Sequence, residues 1–263
     1  MILAIDVGNT NIVLGGIENG KTSFISRLST DPGKTEDEYA IQIKMITELN
    51  GISTKNFSGA IISSVVPQII STLQAAVRKV TGHTSLIVGP GLKTGLDIKI
   101  DNPAQLGSDI VVGAVAAIAL YPKPLMVIDM GTATTICVVD KNKCYRGGVI
   151  LPGVKVAMES LTKNAAQLQS IGLDAPVKAI GTNTADCMRS GVIFGNAAMI
   201  DSLIDRMSTE LPSENDDCSK TMTIVATGGL APKIIPFCTH NIIINDELLL
   251  IGLEIIFNLN SRH

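Results

Sequence analysis

The chain has 263 residues, of which 46% are hydrophobic, 17% charged and 3% aromatic, with a net charge of −3. So apolar a composition excludes a disordered chain. The acidic balance and the shortage of rings (five Phe, three Tyr, no Trp) argue against a nucleic-acid-coating surface or a base-stacking platform. The length allows one to two domains, with a core of Ile, Val, Leu, Ala and Met such as buried sheets covered by helices use.

In chain order, Ile2–Ile5 reads as a short buried strand, Asp6–Thr10 as a tight turn and Ile12–Ile17 as the returning strand. Glu18–Gly20 makes a second turn and Thr22–Ser29 a third strand. Glu36–Asn50 reads as a helix with Tyr39, Ile43 and Ile46 on one face, Thr35 as N-cap and an acidic first turn. Further helices are predicted over Val66–Thr81, Ala104–Leu120, Val154–Leu168, Thr182–Met207 and Leu230–Cys238. Ile61–Ser63, Ser85–Val88, Thr223–Ala226 and Asn241–Ile244 read as buried strands. Leu125–Ile128, Ala133–Val139 and Cys144–Ile150 repeat the opening meander, with Asp140–Lys143 as its polar turn. Pro212–Lys220 is the most polar stretch and the expected mobile loop.

The longest uncharged and nearly all-apolar run, Ile110–Pro122, is 13 residues. A spanning helix needs roughly 20, so no membrane partner is expected. The start of the chain lacks the features of a signal peptide, which points to the cytoplasm. Five Cys with no C-x-x-C pair fit reduced thiols. Three scattered His make a structural zinc site or a His-centred triad a poor expectation.

One motif is a decoy. Gly15–Thr22 satisfies G-x-x-x-x-G-K-[ST], the phosphate-binding loop pattern. That pattern works between a strand and a helix, where the helix N-terminus receives the phosphate. The residues after Lys21 read as strand, and Asn19-Gly20 is a hairpin signature. A β-turn is the better reading.

Two other segments match each other. Ile2–Thr10 and Leu125–Thr134 are both apolar runs that end in Asp-x-Gly and small polar residues, and their aspartates lie almost half the chain apart. Self-similarity at that spacing indicates two related domains. Gly8 and Gly131 let a backbone approach a ligand closely. Asn9, Thr10, Asn11, Thr132, Thr134 and Thr135 are uncharged donors suited to phosphate oxygens. Asp6 and Asp129 would meet phosphate only through a cation, because like charges repel.

The double Asp-x-Gly pattern resembles the actin-like ATPase fold of sugar kinases, Hsp70 and acetate kinase. Asp6–Val13, Val88–Leu96, Asp101-Asn-Pro103, Gly107-Ser-Asp109, Asp129–Thr135, Gly147–Gly153, Asn183-Thr184 with Ser190-Gly191, and Thr227-Gly-Gly229 together resemble type III pantothenate kinase, in order and over essentially the whole chain. The resemblance implies two duplicated actin-like (ribonuclease H-like) α/β domains, 1–117 and 118–263, with mixed sheets flanked by helices. It implies phosphorylation of pantothenate from ATP, the first committed step towards coenzyme A. A homodimer with Mg²⁺ and a monovalent cation, K⁺ or NH₄⁺, goes with it.

Residue by residue, the resemblance implies that Asp6, Val7, Gly8, Asn9, Thr10, Asn11, Ile12 and Val13 bind the ATP phosphates, with Asp6 on the Mg²⁺ side. Thr132 contacts ATP and Asp129 holds the monovalent cation. Gly107, Ser108, Asp109, Ile110 and Thr184 contact pantothenate, and Asp109 is the base. Chemistry agrees for Asp109: a hydroxyl nucleophile loses its proton during phosphoryl transfer, and a carboxylate can accept it. Two positions depart from the family pattern, Ile110 for an Arg and Ile100 for a Tyr. Ile offers no fixed positive fork for a carboxylate. Two alternatives therefore stand beside the kinase: a nucleotide-binding regulator, and a kinase of another small molecule. Ile110–Leu120 and Leu248–Phe257 are more apolar than solvent-facing helices, so either could be buried between subunits or inside one.

Overall fold

The computed structural model describes residues 1–176, 178–211 and 222–261; the expected loop Pro212–Lys220, Cys218 and His263 lie outside the described residues. The chain divides into two compact units. The first is Met1–Leu96, Asp101–Ala119 and Glu247–His263, and the second is Asp97–Ile100 and Leu120–Asp246. This division is discontinuous, where the sequence reading expects a single cut after residue 117. The last helix belongs with the first unit because its apolar face is buried against that unit's sheet.

In the first unit, β1 (Ile2–Val7), β2 (Asn11–Glu18) and β3 (Lys21–Ser29) form an antiparallel meander. β4 (Ala60–Ser64) and β5 (Leu86–Ile87) extend it in parallel, giving the order β3-β2-β1-β4-β5. Strand alternation sends Leu3, Ile5 and Val7 to one face, where they meet Tyr39 and Ile43 of α1 (Glu36–Leu49) and Leu73 and Val77 of α2 (Ile70–Thr81). Thr35 caps α1 in a reciprocal capping box with Glu38, a feature worth about 1 kcal/mol. The buried Tyr39 hydroxyl donates to Asp31 O at 2.8 Å and accepts from Asp31 N at 3.1 Å.

α3 (Ser108–Leu120) and α7 (Leu248–Asn260) are both part of this unit. α7 packs on β1, β2 and β4. A Cβ on Gly252 would collide with the Val112 carbonyl, so the two helices pack closely. Most of their apolar surface is therefore buried within one chain. Glu254, also buried on α7, accepts from Gly20 N at 2.7 Å and ties the β2–β3 turn to the helix.

The second unit repeats the design. β7 (Leu125–Met130), β8 (Ala133–Val139) and β9 (Cys144–Pro152) form the meander, and β10 (Thr223–Thr227) and β11 (Ile242–Ile244) add the parallel strands. The order is β11-β10-β7-β8-β9-β6, where β6 (Asp97–Ile98) is a short edge strand that the sequence did not reveal. Met126, Ile128 and Met130 pack on Ile193, Ala197 and Ile200 of α5 (Thr184–Glu210). α4 (Val154–Asn164) and the single-turn α6 (Ala231–Ile234) complete the unit. Even the irregularities match: each meander shifts register once, between Gly16 and Ile17 and between Val138 and Val139.

Among the described residues, no helix is long and apolar enough to cross a membrane. The decoy loop is a hairpin turn. Asn19 and Gly20 both have positive φ, 53° and 73°, and Lys21 opens β3 rather than a helix.

Candidate active site

Asp6 is the fifth residue of β1, one step earlier in the strand than the predicted turn. It pairs with Val13 across the antiparallel side and with Ser63 across the parallel side. It is 8% exposed. Val7 and Ile12 close the ladder with their side chains in the core, so of the expected phosphate loop only Gly8–Asn11 and Val13 stand clear of it. The turn is built tightly. Gly8 N donates to Asn11 O at 2.9 Å and Thr30 N to Thr10 O at 3.0 Å, while Thr30 Oγ1 donates to Gly8 O at 2.6 Å. Asn9, Thr10 and Asn11 are exposed. The loop therefore presents uncharged polar groups on a fixed frame, next to a nearly buried carboxylate.

The end of β4 meets the start of α3 beside it. Ser108 Oγ accepts from Ser63 Oγ at 3.0 Å and from Ser64 N at 3.1 Å, and donates to Ser64 O at 3.1 Å. Asp109 follows on the first turn of α3. Its Oδ1 accepts from Ile110 N at 2.8 Å, and a Cβ on Gly107 would collide with that same oxygen. Burial pushes the Asp109 carboxyl above the usual carboxylate range, against the lowering effect of these backbone donors. A raised carboxylate pKa suits a general base working near neutral pH. Ile110 lies partly buried in the same turn and supplies no charge. Asp6, Ser63, Ser108 and Asp109 thus belong to one connected patch of the first unit. Sequence reading identified Ser63 only as a strand residue. The available signal was a pair of hydroxyls ending the apolar run Ala60-Ile61-Ile62.

In the second unit Asp129 holds the position of Asp6. It is the fifth residue of β7 and pairs with Thr135 and with Thr227. Gly228 follows Thr227 with φ +95°, and a Cβ there would sit 2.7 Å from Asp129 Oδ1. Only a residue without a Cβ can approach this carboxylate so closely. The turn after Asp129 is one residue shorter than its counterpart, with Gly131 N donating to Ala133 O at 3.0 Å, and Thr132 lies within it. Thr184 opens α5 after Asn183, whose side chain accepts from Asp186 N. It borders an apolar cavity of about 450 Å³ between α4 and α5, lined by Val154, Met158, Leu161 and Met188.

Arg189, His83 and Gly148 have structural roles. Arg189 pairs with Asp186 at 2.9 Å, and a His83 ring nitrogen lies 2.9 Å from Phe57 O. A Cβ on Gly148 would collide with Ile136 O, so that glycine serves the β8–β9 approach.

A profile of the family described as type III pantothenate kinase matches residues 2–206. The type III pantothenate kinase of Halalkalibacterium halodurans is 42% identical over 261 residues, covering 99% of this chain and 100% of that one. Among solved structures, the activator of 2-hydroxyisocaproyl-CoA dehydratase from Clostridium difficile aligns with a TM-score of 0.56 at 11% identity, covering 99% and 96% of the two chains. The polyphosphate/ATP-glucomannokinase of Arthrobacter sp. strain KM aligns at 0.51 and 13%, covering 100% and 99%. These structural likenesses place the fold among the actin-like ATPases and sugar kinases. With duplicated Asp-x-Gly strands, an aspartate opening α3 and full-length identity of this order, the chain belongs to the type III pantothenate kinase family.

Proposed function

We propose that this chain transfers the terminal phosphoryl group of ATP to the alcohol of pantothenate, giving 4′-phosphopantothenate at the start of coenzyme A synthesis. The observation that carries this reading is Asp109, a partly buried carboxylate with a raised pKa, held in the patch that contains Asp6. In the transfer, the pantothenate hydroxyl oxygen bonds to the phosphorus, the bond to ADP breaks, and the hydroxyl proton passes to Asp109. Gly8–Asn11 binds phosphate oxygens through backbone and uncharged side chains. Thr132 contacts ATP, and Thr184 reaches the pantothenate.

The donor set fits the cations this reading needs. Among the described residues no three His, Cys, Asp or Glu side chains gather into a metal cage. Mg²⁺ commonly needs only one or two carboxylates beside phosphate and water, and Asp6 offers one, directly or through water. Asp129 would hold K⁺ or NH₄⁺, with Gly228 packed closely against its carboxylate. Bound there, such ions neutralise charge that develops on the phosphates.

The proposal includes a cytoplasmic homodimer. Ile150 and Ile180 of the second unit, 76% and 80% exposed, are available to such a contact. Ile110 supports a second reading, a kinase for a related alcohol that lacks pantothenate's carboxylate, since this residue cannot pair with one. The decisive assay is formation of 4′-phosphopantothenate by the purified protein with ATP, Mg²⁺ and K⁺. Turnover that K⁺ stimulates is expected. No product from pantothenate, with product from a neutral pantoyl amide, would favour the second reading.

A further inference from the structure

We propose that Ser63 and Ser108 are positioning residues for phosphoryl transfer: their paired hydroxyls lock the first turn of α3 to the end of β4, and so set Asp109 against the strand that carries Asp6. This rests on the reading of Asp109 as the base.

The bonding is complete at Ser108. A serine hydroxyl has one donor and two acceptor sites, and Ser108 Oγ uses all three, on Ser63 Oγ, Ser64 N and Ser64 O. No site on that hydroxyl is left for substrate, so Ser108 acts through Asp109 rather than on pantothenate. Ser63 is fully buried and lies opposite Asp6 in the β1–β4 register. Ile62, one residue before it, belongs to the core on the other face, as do Ile5 and Val7 around Asp6. Strand alternation therefore turns Asp6 and Ser63 to the same face, and the hydrogen bond from Ser63 to Ser108 places the start of α3 there. Ser64 Oγ is engaged elsewhere, accepting from Val66 N at 3.0 Å and donating to Val66 O at 3.1 Å, so it cannot replace its neighbour. Asp109 accepts from local backbone donors of its own turn. Its carboxylate consequently goes where that turn goes, and the turn is fastened to β4 by the three hydrogen bonds of Ser108 Oγ.

The test uses Ser108→Ala, Ser63→Ala, the double variant and the hydroxyl-keeping Ser108→Thr, all in the full-length protein. A displacement of about 1 Å at a reacting group can cost about a hundredfold in rate. We expect Ser108→Ala to lose about tenfold to a hundredfold in kcat and Ser63→Ala, which leaves two of the three bonds in place, less, each with KM for ATP within about twofold. The double variant should lose about as much as Ser108→Ala alone, because removing that hydroxyl already removes the bond to Ser63. Ser108→Thr should recover most of the rate. Thermal unfolding identifies a merely structural role, which would lower Tm and leave kcat below Tm unchanged. Carbonyl ¹³C NMR titration of Asp109, assigned with Asp109→Asn, gives a readout independent of turnover. In Ser108→Ala the raised titration should move back towards the ordinary carboxylate range as water reaches the loosened turn. Alanine variants with wild-type kcat, or an unmoved Asp109 titration, overturn the proposal. Absence of wild-type turnover with pantothenate is a failure of the proposed function instead, and the titration then decides the positioning role alone.

Discussion

Asp6 and Asp129 stand at the fifth position of equivalent strands, each between an antiparallel and a parallel neighbour, yet their surroundings differ. Opposite Asp6 is Ser63, a buried hydroxyl committed to the start of α3. Opposite Asp129 is Thr227, followed by Gly228, whose backbone lies so close to the carboxylate that a Cβ would overlap it. Duplication thus supplies one backbone frame twice, and a few side chains give the copies different work. The first copy fastens the start of α3. In the second, a glycine backs closely onto the carboxylate. The turns diverge in the same sense, since Gly8–Asn11 is longer by one residue and is pinned by Thr30.

The largest expected effect breaks the first copy. Asp109→Asn should lower kcat by about 10²–10⁴, the usual contribution of a positioned general base, measured as 4′-phosphopantothenate formed per enzyme. The same variant has a stability signature of known sign. Burial raises the folded-state pKa of Asp109, so the folded protein holds this proton more tightly than the unfolded chain. The stabilisation from that proton is present at low pH and is lost as pH rises through the raised value. Asparagine does not ionise, so Asp109→Asn should melt higher than wild type at neutral pH. The gap should close below the ordinary carboxylate range, and equal Tm values at pH 7 would contradict the assignment.

A glycine pair tests the second copy against the first. Gly228→Ala forces a non-glycine residue to φ +95° and sets a methyl 2.7 Å from Asp129 Oδ1 and from Met130 backbone atoms. It should cost about tenfold to a hundredfold in turnover and abolish K⁺ stimulation. Gly8→Ala has no positive φ to satisfy and meets only Asn11 O at 3.2 Å. Its loss should stay below about tenfold, so an equal effect of the two would erase the contrast. The smallest effect belongs to Lys21→Ala. Lys21 starts β3 after a hairpin turn, so activity should remain within about twofold, whereas a phosphate-binding lysine would lose nearly all of it.

Much of this was legible in the residues. Alternating apolar runs, the Asn19-Gly20 turn and the Thr35 cap mark their elements through local rules, and the structure has them at those places. Repetition of Asp-x-Gly exposed the duplication because the two aspartates occupy the same strand position. Ser63 was hidden, because its partner is 45 residues away and nothing near it in sequence predicts that contact. β6 was hidden too, being two residues long and defined only by pairing with β9.

The sequence by itself determined the strand and helix periods, the two halves and the family, since these depend on local propensity and on motifs that survive in order. Tertiary structure decided which apolar helices close on each other, as α3 and α7 do at Gly252. It also decided that the last helix joins the first unit, and which hydroxyl holds the first turn of α3. The physical reason is range: periodicity acts between neighbours along the chain, whereas burial and hydrogen bonding act between whatever groups the folded chain brings within a few ångströms.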